Sequence, residues 1–328
     1  MSSEQPLVST CIASYNHAEY VGLGIESILA QTYKNHEIVI VDDGSSDNSL
    51  EILNSYAQKF PEQVRVFTHE NHQNRGISIT TNLAIEKSKG KYIALIGSDD
   101  VWEGNKLALQ IEILEQNPKV GFVYSKAKTI DSQGKTTSSI IGQNFKKNRD
   151  QLAQILAKNF IPAPTVVLRR ECFDRLGGFD ETLVCSDWEM WLRILAHWEM
   201  AFIDEPLVLY RVHQRNTSLG VNAEIGVQRK LDVINRIAEK KEKIGGKLSK
   251  PEIQKIIQNQ PARIKKEIYL VHLDNYFINC RYENFQSAYP HLLAAVKSSP
   301  LKTLAPRRFG AVVKHFILSL KNRSKSGV

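Results

Sequence analysis

"HEIVIVDDGSSDNSLEILNSYAQKF", residues 36–60, holds a complete strand–turn–helix unit. Ile38, Val39, Ile40 and Val41 are apolar and β-branched, the composition of a strand covered on both faces. The run stops on two adjacent acids, Asp42 and Asp43. Residues 45–60 then open on a serine suited to capping and continue as an amphipathic helix. Upstream, 7–14 is a strand, and 19–32 sets Val21, Ile25, Ile28 and Leu29 on one helical face. Downstream, 63–70 is a strand and 77–88 a helix. "KYIALIG" (91–97) is a fourth strand, followed by a helix over 103–116. This alternation predicts a parallel sheet with helices on both faces.

The rhythm changes after residue 120. A strand over 120–135 leads to a turn at Ser132–Gly134, and 149–159 is helical. "TVVLRRECFDRLGGFDE" (165–181) gives a strand, a short helix and a Gly-rich turn; 187–197 is a helix and 200–213 is strand-rich. Beyond 220 the pattern is helical, broken at Gly245–Gly246 and at prolines. The expected division is a body over 1–219 and a helical C-terminal region over 220–328.

The totals narrow the class. With 328 residues and 42% hydrophobic content, the chain can bury a large core. Cys11, Cys172, Cys185 and Cys280 fit no zinc or disulfide spacing, which points to free thiols in a reducing cytosol. No signal peptide or spanning segment is expected. The net charge of +8 resides in 284–328, which holds eight basic residues and no acid, so the rest of the chain is neutral. A neutral body with a basic tail suits a local anionic contact. Residues 307–328 also carry an apolar stripe of Phe309, Val312, Val313, Phe316, Ile317 and Leu320. That pattern fits a helix lying on an anionic membrane surface, packing on the body, or packing on a second subunit of a homo-oligomer. Nucleic acid is disfavoured, since no recognised binding module accompanies the charge.

In an open α/β sheet, ligands bind beyond the carboxyl ends of the strands. Asp42–Asp43 and Asp99–Asp100 both fall there. Oxygen ligands of this kind suit Mg²⁺ or Mn²⁺, which fill their shells with phosphate and water. The alternative is that these acids only cap helices. No G-x-G-x-x-G follows the first strand and no phosphate loop ends in Gly-Lys-Ser/Thr, which argues against dehydrogenases and P-loop enzymes.

"VSTCIASYNHAEYVGLGIESILAQTYKNHEIVIVDDGSSDNS" resembles the N-terminal signature of family 2 glycosyltransferases. "NRGISITTNLAIEKSKGKYIALIGSDD" and "LGGFDE…SDWEMWLRI" resemble its later blocks, in the expected order. The resemblance covers about residues 7–215. It implies an α/β fold of the GT-A type and inverting transfer of a sugar from a nucleotide-diphosphate donor, with UDP-sugars favoured. The acceptor would be a glycan or lipid-linked hydroxyl in cell-surface polysaccharide synthesis, reached from the cytoplasm or the inner membrane face.

Carried over residue by residue, Ala13, Tyr15 and Asn16 match the first donor loop. Asp42 matches the acid that bonds the base, Asp43 adjoins it, and Arg75 resembles a basic residue near the base or phosphates. Asp99 and Asp100 match the end of the metal motif, with Asp100 expected to hold Mg²⁺ or Mn²⁺ and Asp99 to contact the donor. Asp187 matches the catalytic base, and Glu189 competes with it. His213 is a second candidate metal or diphosphate ligand. Arg211 and Arg215 are candidate phosphate contacts. Trp188 and Trp191 are either acceptor platforms or core. His17, His69 and His72 receive no assignment. Two positions depart from the family pattern: Gly97 replaces an acid and Thr81 replaces an arginine. These departures keep a catalytically silent sugar- or nucleotide-binding protein in view, and a metal-dependent nucleotidyltransferase is the other alternative.

Overall fold

The computed structural model describes residues 5–146, 148–213 and 223–264. Four strand–helix steps open the chain. They are β1 (Val8–Ser14) with α1 (Val21–Leu29), β2 (His36–Asp42) with α2 (Ser49–Lys59), β3 (Val64–Thr68) with α3 (Ile77–Lys87), and β4 (Tyr92–Gly97) with α4 (Lys106–Gln116). A two-residue strand, β5 (Val101–Trp102), precedes α4. There follow β6 (Val120–Ile130), β7 (Thr136–Ile141), α5 (Gln151–Ala157), β8 (Val167–Arg169), α6 (Arg170–Leu176), α7 (Ser186–Leu195), β9 (Glu199–Arg211) and α8 (Ala223–Ile244).

The nine strands form one curled sheet in the order β3-β2-β1-β4-β8-β6-β9-β5, with β7 paired to β6. The sequence pattern called for a parallel sheet, and that holds across β3, β2, β1 and β4. The remainder is mixed. Strand β8 runs antiparallel to β4 and β6, and β5 antiparallel to β9, while β6 and β9 are parallel. The reason is local: the strand–helix alternation ends at α4, and the short turn from β6 to β7 permits antiparallel pairing alone.

All seven residues of β2 are buried, as its uninterrupted apolar run requires. Alternate residues point to opposite faces. Val8, Ile12, Ile38 and Ile40 share a core with Val21 and Ile25 of α1, Leu53 of α2 and Leu107 of α4. Helix α3 packs against β1 and β2. Each such aliphatic side chain contributes about 1.5–3 kcal/mol on burial.

The sheet register positions the site. Ser14 pairs with Asp42, Ala13 with Gly97, and Asp42 with Thr68. The carboxyl ends of four strands therefore stop on one line, and the loops that follow them leave from one edge.

The described residues fall into two compact units. One runs from residue 5 to 213 and includes 232–258; the described part of the other is 223–231 with 259–264. The C-terminal described region is largely helical: α8 ends at Gly245–Gly246, both at positive φ, and a further helix spans 251–264. No helix among the described residues is long and apolar enough to cross a membrane. The basic segment 284–328, Cys280 and Arg215 lie outside the described residues.

Candidate active site

The turn after β1 and the turn after β2 are tied together. Asn16 sits at φ 53°, a left-handed conformation that asparagine tolerates. Its N–H donates to Ser45 Oγ at 2.9 Å, and its Oδ1 accepts from Ser46 N at 2.7 Å. Tyr15 beside it is exposed and Ala13 half-buried. Asp42 is fully buried and accepts from Ser45 N at 2.9 Å and Ser45 Oγ at 2.6 Å. The expected helix cap is therefore different: Ser45 serves Asp42 and Asn16, and the residue before α2 is Asn48, with no side-chain cap bond. Gly44 is needed here, because a Cβ would lie 2.4 Å from His72 O and its φ is +77°.

Asp43 holds the loop before α3. It accepts from Arg75 N at 2.7 Å and Gly76 N at 3.0 Å, and His69 Nε2 stands 3.5 Å away. Arg75 is exposed, so its backbone shapes the loop while its side chain stays at the surface.

The second acid pair follows β4 in a tight turn closed by Asp100 N donating to Gly97 O at 3.2 Å. Gly97 has a steric reason. A Cβ there would lie 2.6 Å from Asp99 Oδ1 and 2.9 Å from Asp100 Oδ2, so both carboxylates fold over the bare Cα. Asp100 is 2% exposed and its Oδ1 accepts the Arg211 N–H at 2.9 Å. Burial first, and then the neighbouring Asp99 charge, push its carboxyl well above the usual carboxylate range.

Asp99 faces other partners. Its Oδ2 lies 3.0 Å from His213 Nε2. Among the described residues, His17, Asp99 and His213 bring one donor atom each within 4.8 Å of one another. His17 Nδ1 bonds Ser98 Oγ at 2.7 Å, and its ring meets that of His213 edge-on at 5.4 Å. The structure thus groups Asp99, rather than Asp100, with His213. His17, unassigned by sequence, joins them; its position in the turn after β1 gave no hint of a partner 81 residues away.

Arg211 departs from its expected role as a phosphate contact. It is 2% exposed, and its guanidinium donates to Asp99 O at 2.8 Å and Asp131 O at 3.1 Å. The same group lies 4.5 Å from the Tyr20 ring centroid. A guanidinium is suited to several carbonyls at once because its donors are fixed in a plane.

Asp187 is the second residue of α7. Every other residue of that helix is buried; Asp187 alone keeps some solvent access. It still lies deep enough that burial raises its carboxyl above the ordinary range. Opposing bonds from Trp188 N, the Asn159 side chain and its own N–H reduce the rise without reversing it. Glu189 points elsewhere, fully buried and paired with Arg193 at 2.8 Å. Arg193 in turn donates to Leu176 O and Gly178 O, each at 2.7 Å, which holds the Gly-rich turn. Trp188 and Trp191 are both core. Trp188 Nε1 donates to Ile155 O at 2.8 Å, and Trp191 packs 5.2 Å from Phe122.

The N-termini of α3 and α7 meet. Ser78 Oγ and Ser186 Oγ are 2.8 Å apart, one residue before Asp187 and two after Gly76, which Asp43 holds. Asp187 is therefore carried to the same sheet edge as the strand-end acids.

Residues 9–177 match the family model described as glycosyl transferase family 2. The chain belongs to this family. An uncharacterised glycosyltransferase of Rickettsia prowazekii is 32% identical over 217 residues, 65% of this chain and 66% of the relative. The chain thus spans slightly under two thirds of that relative's length. WfgD of Escherichia coli, a UDP-Glc:α-D-GlcNAc-diphosphoundecaprenol β-1,3-glucosyltransferase, is 28% identical over 71% of this chain and 87% of its own. Two solved structures share the fold. Mannosyltransferase PcManGT from Pyrobaculum calidifontis, in complex with GDP-Man and Mn²⁺, has a TM-score of 0.59 at 18% identity, covering 97% of this chain and 81% of its own. Staphylococcus aureus TarS 1–349 with UDP-GlcNAc has 0.54 at 17%, covering 86% and 89%.

The blocks that mark family 2 glycosyltransferases in the sequence are joined in space. Asn82 Nδ2 donates to Phe179 O at 3.0 Å, and its Oδ1 accepts from Phe179 N at 2.8 Å. A Cβ on Gly178 would lie 2.6 Å from Asn82 Oδ1, so that contact requires glycine. The Asp99 carboxylate and His213 imidazole, hydrogen-bonded at 3.0 Å, are donor types that a divalent cation takes.

Proposed function

We propose that the protein transfers a sugar, with inversion, from a nucleotide-diphosphate donor to a hydroxyl of a glycan or lipid-linked acceptor, and that Asp187 is the base. The observation that carries this reading is the setting of Asp187. It is the solvent-accessible residue of an otherwise buried helix, docked through Ser186 and Ser78 onto the loop that Asp43 shapes. Its raised pKa suits a group that must accept a proton near neutral pH.

In this reading the acceptor oxygen attacks the anomeric carbon from the face opposite the diphosphate. The bond from that carbon to the diphosphate oxygen breaks, and the hydroxyl proton passes to an Asp187 carboxylate oxygen. The turn of Tyr15 and Asn16 receives the base and ribose, held by Asp42 through Ser45, with Asp43 fixing the loop at Arg75. Asp99 and His213 would hold a divalent cation, which would supply positive charge for a leaving diphosphate. Asp100 and Arg211 fix the turn that presents Asp99.

UDP is favoured as the carrier, in keeping with the UDP-Glc donor of the Escherichia coli relative WfgD, whose acceptor is a diphosphoundecaprenol. A lipid-linked acceptor also suits the basic, apolar segment 307–328, for which we propose contact with an anionic membrane on its cytosolic face. Thermal melting with UDP, GDP or dTDP and Mn²⁺ tests the reading. A specific nucleotide at 100 times its Kd stabilises the fold by about 2.7 kcal/mol. The reading predicts a shift with one base, and no shift with any of them contradicts it.

A further inference from the structure

We infer that Asn159 is a positioning residue for the reaction: its side-chain amide donates to the Asp187 carboxylate and fixes the orientation in which that carboxylate meets the acceptor hydroxyl. The inference rests on the proposed role of Asp187 as base and adds to it a residue from another part of the chain. Asn159 follows α5 and is half-buried. The two ends of its amide have different partners. Its Oδ1 accepts from Ile161 N at 3.1 Å. The NH2 end can only donate, and the side chain bonds the Asp187 carboxylate, which in its ionised form can only accept.

Both flanks of Asn159 are anchored. Upstream, Trp188 Nε1 donates to Ile155 O at 2.8 Å, so the residue next to Asp187 holds the helix that leads to Asn159. Gln151, at the start of that helix, exchanges two bonds with Met200 of β9. Its Nε2 donates to the Met200 carbonyl at 2.9 Å, and its Oε1 accepts the Met200 N–H at 2.8 Å. Downstream, Thr165 Oγ1 donates to Pro162 O at 2.7 Å, and Gln110 Nε2 of α4 donates to Thr165 O at 2.8 Å. Trp102 Nε1 donates to Pro164 O at 3.2 Å. The two prolines fix φ along the same stretch. A braced segment therefore brings the amide to the solvent-accessible residue of α7.

The contact has a chemical use. A carboxylate in a buried setting tends to keep its proton, and a donor to the ionised form offsets that tendency. Burial raises the Asp187 pKa, and the Asn159 amide is the side chain that opposes the rise. No charged side chain takes part. Glu189 and Arg193 of α7 pair with each other, Lys158 beside Asn159 and Arg75 before α3 are exposed, and Arg175 of α6 turns to His197. The half-buried Cys185 thiol stands just before α7.

The test reads the titration of Asp187 in two ways. Carbon-13 NMR of the full chain labelled at aspartate carboxyls follows the group itself, with Asp187→Asn identifying its signal. The pH profile of kcat/KM follows the reaction. Asn159→Leu keeps the volume and removes the donor; Asn159→Ala removes both and replaces it should the first fail to fold. In the folded variant the Asp187 carboxyl should titrate about one pH unit higher, the shift expected for losing one hydrogen bond to a charged group. The acid limb should move up with it, while donor KM stays within about twofold. A carboxyl that titrates at its parental pH overturns the inference even if the rate falls, because the amide then only packs; the reading of Asp187 as base is untouched by that result. A carboxyl that moves while the acid limb stays in place defeats the reading of Asp187 as base, and the positioning role with it.

Discussion

The backbone N–H of Arg211 donates to Asp100 Oδ1 at 2.9 Å, and its side chain reaches back to Asp99 O at 2.8 Å. One buried residue at the end of β9 therefore fixes both acids at the end of β4. Lysine cannot reproduce a planar set of donors to several carbonyls. Arg211→Lys should lower kcat by about 10–100-fold with a smaller change in donor KM, the pattern expected when positioning is lost. Steady-state kinetics beside a melting curve checks this. Parental kcat in a folded variant would show that Arg211 only stabilises the fold.

Asp187→Asn keeps the shape of the side chain and removes the base. Transfer should fall by about 10²–10⁴-fold while nucleotide binding stays within about twofold. The ionised carboxylate is the active form, so kcat/KM falls as pH drops through its pKa. Burial raises that pKa, so the acid limb should lie above the ordinary aspartate value of about 3.9. A pH–rate profile locates the limb. A limb at or below the ordinary value would exclude a buried base.

Gly97→Ala places a Cβ 2.6 Å from Asp99 Oδ1 and 2.9 Å from Asp100 Oδ2. Both carboxylates must move, and with them the pairing of Asp99 to His213. Mn²⁺-dependent binding of UDP should weaken by about tenfold, equivalent to roughly 1.4 kcal/mol. Calorimetric titration reads this directly, and unchanged affinity would mean that the folded-back carboxylates play no part.

Asp180 anchors part of α8 to the Gly-rich turn. Burial alone would raise its pKa, but hydrogen bonds from Lys240 and from Thr182 reverse this and hold it at about 2. Its stabilisation is therefore fully present above the ordinary value near 3.8 and is lost as pH falls towards 2. Lys240 and Arg236 are 36% and 32% exposed, so solvent screens the pairs. Asp180→Asn should cost about 1 kcal/mol at pH 7 and almost nothing at pH 2. Denaturant melts at the two pH values test the difference, and an equal cost at both would contradict it.

Much of the fold was legible because the cores of β2 and β4 are continuous apolar runs and the helices between the strands keep one apolar face. The mixed half of the sheet was not, since β5 has two residues and β8 three, too few to carry a period. The site divides in the same way. The strand-end acids followed from local pattern, whereas Asp187 was singled out by the family resemblance. The pairing of Asp99 with His213 spans 114 residues, and that of Arg211 with Asp100 spans 111. Contacts of such span leave no local signal. The phosphate role suggested for Arg211 gave way for this reason, because only the fold shows the carbonyls waiting for it.

The central claim is inverting transfer with Asp187 as base, and the anomeric configuration of the released or transferred sugar tests it most directly. Proton NMR of the purified full chain with an α-linked UDP-sugar should show the β-anomer forming first as UDP appears. Asp187→Asn should abolish that signal. An α-anomer forming first, or a β-anomer produced at the parental rate by Asp187→Asn, would contradict the claim.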